Sequence, residues 1–191
     1  MSKLYLVVAP SGAGKSTIIN EIFDKDQQIV SFTTRPIRNG EVDGEDYYFV
    51  SSDEFDYLED LDGELIQKAE YSGNRYGVTK SEIEQKLAVG DCVIAVVMDG
   101  FLRYKELYPN DTIGIFLDVS REVVENRLNK RNDGKEIVEQ RLNQYDIDIK
   151  NKEYFGKDAQ SFIINVDGNL KENVGLFRDI IKNVGMKDES L

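Results

Sequence analysis

One stretch near the start constrains the chain more than any other. Ala9-Pro10-Ser11-Gly12-Ala13-Gly14-Lys15-Ser16-Thr17 lies between the apolar run Leu4-Tyr5-Leu6-Val7-Val8 and a helical pattern with Ile18, Ile19, Ile22 and Phe23 on one face. This is the P-loop pattern with alanine in its first position. Glycine lets the backbone bend so that successive N–H groups point inward at phosphate oxygens. The helix that follows adds its positive dipole end. Ser11 to Thr17 are therefore expected to cradle the phosphates of ATP, with Lys15 reaching the β- and γ-phosphates and the Ser16 hydroxyl binding Mg²⁺. A buried strand feeding such a turn and then a helix belongs to an α/β sheet, wound right-handedly.

The rest of the chain fits that frame. Leu4–Ala9, Val93–Met98, Thr112–Leu117 and Phe162–Val166 read as buried parallel strands, and Ile29–Thr33 as a weaker one. Thr79 and Glu82 form a capping box ahead of Ile83 and Leu87, and Gly90 stops that helix. Ser120 caps a helix carrying Val123, Val124 and Leu128, and Leu170, Val174, Phe177 and Ile181 mark a closing helix. Residues 34–78 break the alternation. They hold the strand candidates Tyr47–Val50 and Leu65–Tyr71 around a short helix after Ser51, and read as a small antiparallel insert. Residues 41–64 carry eleven acids and no lysine or arginine, which reads as a solvated outer face.

Composition removes several chemistries. There is no histidine, so imidazole catalysis and His-bound zinc are excluded. Cys92 is the only cysteine; no internal disulfide exists, and the cytoplasm is the default compartment. The apolar runs are too short to span a bilayer, and Leu4–Val8 is too short for a signal peptide. With a net charge of −12, nucleic acid is not an expected partner, and any arginine serving an anionic substrate must act against a repulsive field.

A longer segment, Ser31-Phe32-Thr33-Thr34-Arg35-Pro36-Ile37-Arg38-Asn39-Gly40-Glu41 through Asp46-Tyr47-Tyr48-Phe49-Val50, resembles the acceptor-binding signature of guanylate kinases. With the P-loop, Ser72-Gly73-Asn74-Arg75-Tyr76-Gly77 and the arginines at 127, 131 and 141, the resemblance covers nearly the whole chain. It implies a single three-layer α/β/α P-loop NTPase domain, with core 1–31, 79–125 and 151–191, an acceptor-binding insert at 32–78 and a helical lid at 126–150. It implies small-molecule nucleotides as partners. Arg35, Arg38, Tyr47 and Tyr76 would hold the acceptor phosphate, a task suited to the guanidinium fork and neutral hydroxyl donors. Arg127, Arg131 and Arg141 would close over the transferring phosphoryl group beside Lys15, with helix-surface ion pairs to Glu125 or Glu136 as the alternative. Asn165 would lie near the adenine of ATP. A monomer or weak homodimer is expected.

The resemblance thins where the base is read. Ser31 matches the family, but Gln67 stands where the family has a glutamate, and Val78 where it has serine or threonine. Ala95-Val96-Val97 replaces a strand end bearing two aspartates. Asp99 lies further along the face of Ala95 and Val97 if the strand continues; Asp99-Gly100 also reads as a turn. Three of four base contacts are thus altered while the phosphate contacts remain, which points to relaxed or changed base specificity in a kinase acting on GMP or dGMP. Two other readings stay open: a kinase for a base-free phosphorylated sugar such as ribose 1,5-bisphosphate, and a catalytically silent binding module. The intact P-loop weighs against the module.

Overall fold

The structure, a computed structural model, describes residues 2–61, 63–71, 73–130 and 134–188. In chain order its elements are β1 (Leu4–Val8), α1 (Lys15–Ile22), β2 (Phe32–Thr33), β3 (Tyr48–Phe49), α2 (Ser52–Asp60), β4 (Leu65–Tyr71), β5 (Asn74–Thr79) and α3 (Lys80–Val89). There follow β6 (Cys92–Ala95), α4 (Met98–Leu107), β7 (Thr112–Asp118), α5 (Arg121–Lys130), α6 (Lys135–Asp148), α7 (Lys152–Phe155), β8 (Ser161–Asn165) and α8 (Leu170–Asp188).

The central sheet is parallel, in the order β6-β1-β7-β8. Its strands are apolar on both faces because each face carries helices. Tyr5 and Val7 of β1 point into a core with Ile18 and Ile19 of α1, Val124 and Leu128 of α5, Leu142 and Tyr145 of α6 and Phe177 of α8. Leu4, Leu6 and Val8 point the other way, into a core with Ile83 of α3, Phe101 and Tyr104 of α4 and Phe155 of α7. The expected three-layer α/β/α arrangement is what these two cores describe.

Gly114, in the middle of β7, leaves room for Phe101: a Cβ there would stand 2.8 Å from the Phe101 ring and collide with the Ser161 hydroxyl. Phe101 in turn packs on Phe155 with ring centroids 4.7 Å apart.

Three details differ from the sequence reading. First, the strand expected at Val93–Met98 ends at Ala95, and Met98 and Asp99 open α4. Val7, opposite Ala95, is close to where β1 departs into the P-loop, so nothing remains for residues 97 and 98 to pair with. Secondly, Gln28 only bridges to Val93 before the chain leaves the core sheet, and Phe32–Thr33 joins a second sheet ordered β3-β2-β5-β4. That sheet is mixed rather than antiparallel, since β2 and β3 run parallel. Thirdly, the capping box at Thr79 is half made. Thr79 accepts from the Glu82 N–H at 3.3 Å, but the Glu82 carboxylate accepts from Val30 N–H and the Tyr48 hydroxyl instead. It thereby ties the insert to α3.

The acidic run also does more than face solvent. Asp46 accepts from Val42 N–H, Asp43 from Phe49 N–H, and Glu54 completes a capping box with Ser51 at the start of α2. These carboxylates fix turns that the backbone alone would leave open.

Candidate active site

The P-loop bends as its glycines require. Gly12 and Gly14 have φ of 83° and 90°, in the left-handed region that glycine enters without a steric penalty. Gly14 occupies the cap position of α1, whose first turn has neither a side-chain cap nor an acid. Its leading N–H groups and positive dipole end are left for an anion. The loop is pressed against α5, where a Cβ on Gly12 would lie 3.1 Å from Val124, and Ala13 is buried.

Lys15 folds back over this loop, donating to the carbonyls of Ala9 at 2.7 Å and Pro10 at 3.4 Å. Burial lowers its pKa, and Asp148 at the end of α6 opposes that shift. Lys15 and Asp148 share a cavity of about 620 Å³ with Ser11, Gln67, Ala95, Val97, Asp99, Gln144 and others. Two further recesses adjoin the loop. One, of about 180 Å³, is lined by Gly12, Ala13, Gly14, Thr17, Arg127 and Asn173, among others. The other, of about 160 Å³, is lined by Ser16, Ser31, Asp46, Tyr47 and Ala95, among others.

Of the residues expected at the acceptor phosphate, Arg35, Tyr47 and Tyr76 lie close together on the second sheet. Thr33 donates to Arg75 O and accepts from Arg35 N–H, while the Thr34 hydroxyl accepts from Arg75 N–H. These bonds fix β2 against β5, with Thr33 opposite Tyr76. The Arg35 guanidinium lies 5.4 Å from the Tyr47 ring centroid, and Tyr47 meets Tyr76 edge to face. Burial pushes the Tyr47 hydroxyl above its ordinary pKa, so it stays a proton donor. Arg38 is exposed, and its backbone N–H donates to Glu41.

The other expected site residues divide. Gln67 and Asp99 face the main cavity, Asp99 from the first turn of α4 rather than from a strand. Val78 does not face it: only 3% exposed, it packs in the apolar core with Ile66 and Ile83. Arg127 donates to the carbonyls of Ala13 and Val166, beside the smaller recess. Arg141 sits on α6 one turn before Gln144. Arg131 lies outside the described residues. Asn165 is exposed at the end of β8, accepting from Asp167 N–H. The asparagine lining the recess is Asn173, buried and donating to Val166 O and Gly168 O. Sequence reading also passed over Glu41 and Asp148. Glu41 sits three residues beyond Arg38 and six beyond Arg35, a spacing that signals a shared turn; Asp148 follows Gln144 at i+4 on α6, and the two are hydrogen-bonded.

A P-loop at the end of β1, an arginine–tyrosine cluster on a second sheet and a recess shared by Ser16 and Tyr47 are the features of a P-loop phosphotransferase acting on a small phosphorylated acceptor. The family model described as guanylate kinase matches residues 1–169. A guanylate kinase of Geobacter sulfurreducens is 37% identical over 157 residues, covering 80% of this chain and 77% of that protein. One of Thiobacillus denitrificans is 36% identical over 184 residues, covering 93% and 86%. The crystal structure of guanylate kinase from Anaplasma phagocytophilum superposes with a TM-score of 0.67 at 25% identity, over 95% of this chain and 85% of that one. The chain belongs to the guanylate kinase family, ATP-dependent nucleoside monophosphate kinases that use Mg²⁺. Among the described residues no helix is long and apolar enough to cross a membrane.

Proposed function

We propose that this chain transfers the γ-phosphoryl group of ATP to the phosphate of GMP or dGMP, giving the diphosphate and ADP. The observation that carries this reading is an uncapped, acid-free P-loop helix whose Ser16 shares a recess with Tyr47, which in turn packs with Arg35 and Tyr76. An oxygen of the acceptor phosphate is already an anionic nucleophile. It forms a bond to the γ-phosphorus as the bond to the β–γ bridging oxygen breaks, and the electron pair leaves on ADP. No side-chain base is required; positioning and charge neutralisation carry the rate.

Lys15 and the α1 N–H groups fit the donor phosphates, and Arg38, Tyr47 and Tyr76 the acceptor phosphate. Arg127 and Asn173 fit the adenine end of ATP, where a flat guanidinium can lie along a purine. Arg141 and α6 fit the role of lid, closing the cleft against water.

Mg²⁺ suits what the residues offer. The exposed Ser16 hydroxyl is one oxygen ligand at the phosphate cradle, and no group of three or more acidic, Cys or His side chains forms a closed cage among the described residues. That is the donor set of an ion that keeps its waters and binds through substrate phosphates. When bound, it neutralises charge on the transferring group.

ADP release should be measured from ATP and Mg²⁺ over all ribo- and deoxynucleoside monophosphates and ribose 1,5-bisphosphate, with Lys15→Ala as control. Turnover of GMP or dGMP supports the reading. Turnover of the sugar bisphosphate alone, or of no acceptor, refutes it.

A further inference from the structure

The cleft wall built from β4, the end of β6 and the start of α4 bears Gln67, Ala95, Val96, Val97, Met98 and Asp99. Apart from Gln67 and Asp99 this wall is apolar. The Gln67 amide is half-buried and lies flat on the α4 backbone: a Cβ on Gly100 would be 3.0 Å from its Cδ, Nε2 and Oε1. Any side chain at residue 100 would press on it. No hydrogen bond engages the amide among the described residues, so both its donor and its acceptor are available to a ligand.

A carboxylate at this place would be acceptor-only and could take N1–H and the 2-amino group of guanine together. An amide carries one acceptor oxygen and a donor nitrogen. Set against a 6-oxopurine, Oε1 accepts from N1–H while Nε2–H donates to O6. Both bonds are complete, and the 2-amino group is left outside them.

We infer that Gln67 reads the 1,6 edge of a purine and is blind to position 2, so that the chain takes inosine monophosphate as an acceptor as readily as GMP. This rests on the kinase reading above and adds a substrate to it. Hypoxanthine has the O6 and N1–H of guanine and lacks only the 2-amino group. The neighbouring polar group, Asp99, is exposed in the first turn of α4 and is the one other side chain of this wall that could accept from a 2-amino group; Asp99→Asn tests that competing reading directly.

The test is kcat/KM with GMP and IMP, together with calorimetric Kd values for both, in the wild type, Gln67→Glu and Asp99→Asn. A wild-type GMP:IMP ratio below about ten is expected, since one hydrogen bond is worth of that order. Gln67→Glu should raise the ratio at least about tenfold by regaining the 2-amino contact. Asp99→Asn should leave it unchanged. A wild-type ratio above ten, an unaltered ratio in Gln67→Glu, or a fall in Asp99→Asn overturns the inference. If neither acceptor turns over, the kinase reading fails and the Kd ratio alone decides this one. If Gln67→Glu does not fold, the wild-type ratio decides.

Discussion

Glu41 grips Arg35 with both carboxylate oxygens, at 2.7 and 3.0 Å from its two terminal nitrogens. Arg35 also donates to Pro36 O at 2.9 Å and is only 8% exposed. Its charge is therefore largely answered inside the protein. The same fork holds the 35–41 turn closed beside the Tyr47 ring, while Arg38 is exposed. Glu41→Gln keeps the shape but breaks the charge match of a bidentate pair. A small misplacement of the clamp is enough to raise KM for the nucleotide acceptor about tenfold. KM for ATP should be unchanged; steady-state kinetics with each substrate varied separately checks both.

The pH dependence of this pair follows from the direction of its shifts. The Arg35 hydrogen bonds hold the Glu41 carboxyl below the ordinary glutamate range, and the backbone N–H of Arg38 adds to that. A depressed carboxylate stabilises the fold above its unfolded pKa, and the contribution is lost as pH falls through the folded value. The clamp should accordingly be indifferent to pH across neutrality. Acid melting of wild type and Glu41→Gln should diverge above the glutamate range and converge below it.

Lys15→Ala should cost at least about 10²–10³ in kcat, the scale for removing one preorganised charge-stabilising donor. The fold should not suffer. Burial already disfavours the charged lysine, and its bonds in the free protein go to the carbonyls of Ala9, which lines the main cavity, and Pro10. Thermal unfolding by circular dichroism should give a melting temperature equal to or slightly above that of the wild type, beside an activity near zero.

Gly114→Ala makes the opposite separation. It adds one methyl inside the central sheet, where the Phe101 ring and the Ser161 hydroxyl already fill the space. Overpacking of this kind costs about 1–3 kcal/mol. The effect should appear as a lowered melting temperature with KM values unchanged, because Phe101 supports the α4–β7 contact rather than the cleft.

Strand β1, the P-loop and the layered sheet were legible because each rests on local pattern: a continuous apolar run, glycines at forced turns, a helical face. The juxtaposition of Arg35 with Tyr47, and of Tyr47 with Tyr76, has no local sequence pattern behind it, since it depends on β2, β3 and β5 meeting in one sheet. Where reading failed, a distant partner had decided. Glu82 has the right spacing to cap its own helix, yet its carboxylate is taken by Val30 and Tyr48. Val97 reads as strand, yet becomes the cap of α4 because β1 has no more backbone to offer. Val78 aligns with a polar position, yet its side chain belongs to the core.

Arg127 offers the sharpest division between donor and acceptor effects. Its two terminal nitrogens donate to Ala13 O at 2.9 Å and Val166 O at 3.0 Å, joining the P-loop to the segment between β8 and α8. A lysine is a point donor and cannot bridge both carbonyls with the planar fork. Nor can it lie flat along a purine. Arg127→Lys should therefore raise KM for ATP about tenfold, the loss expected for one well-placed donor contact, and leave KM for the acceptor alone. A fall confined to kcat, with KM for ATP intact, would place Arg127 at the transferring phosphoryl group instead of at the donor base.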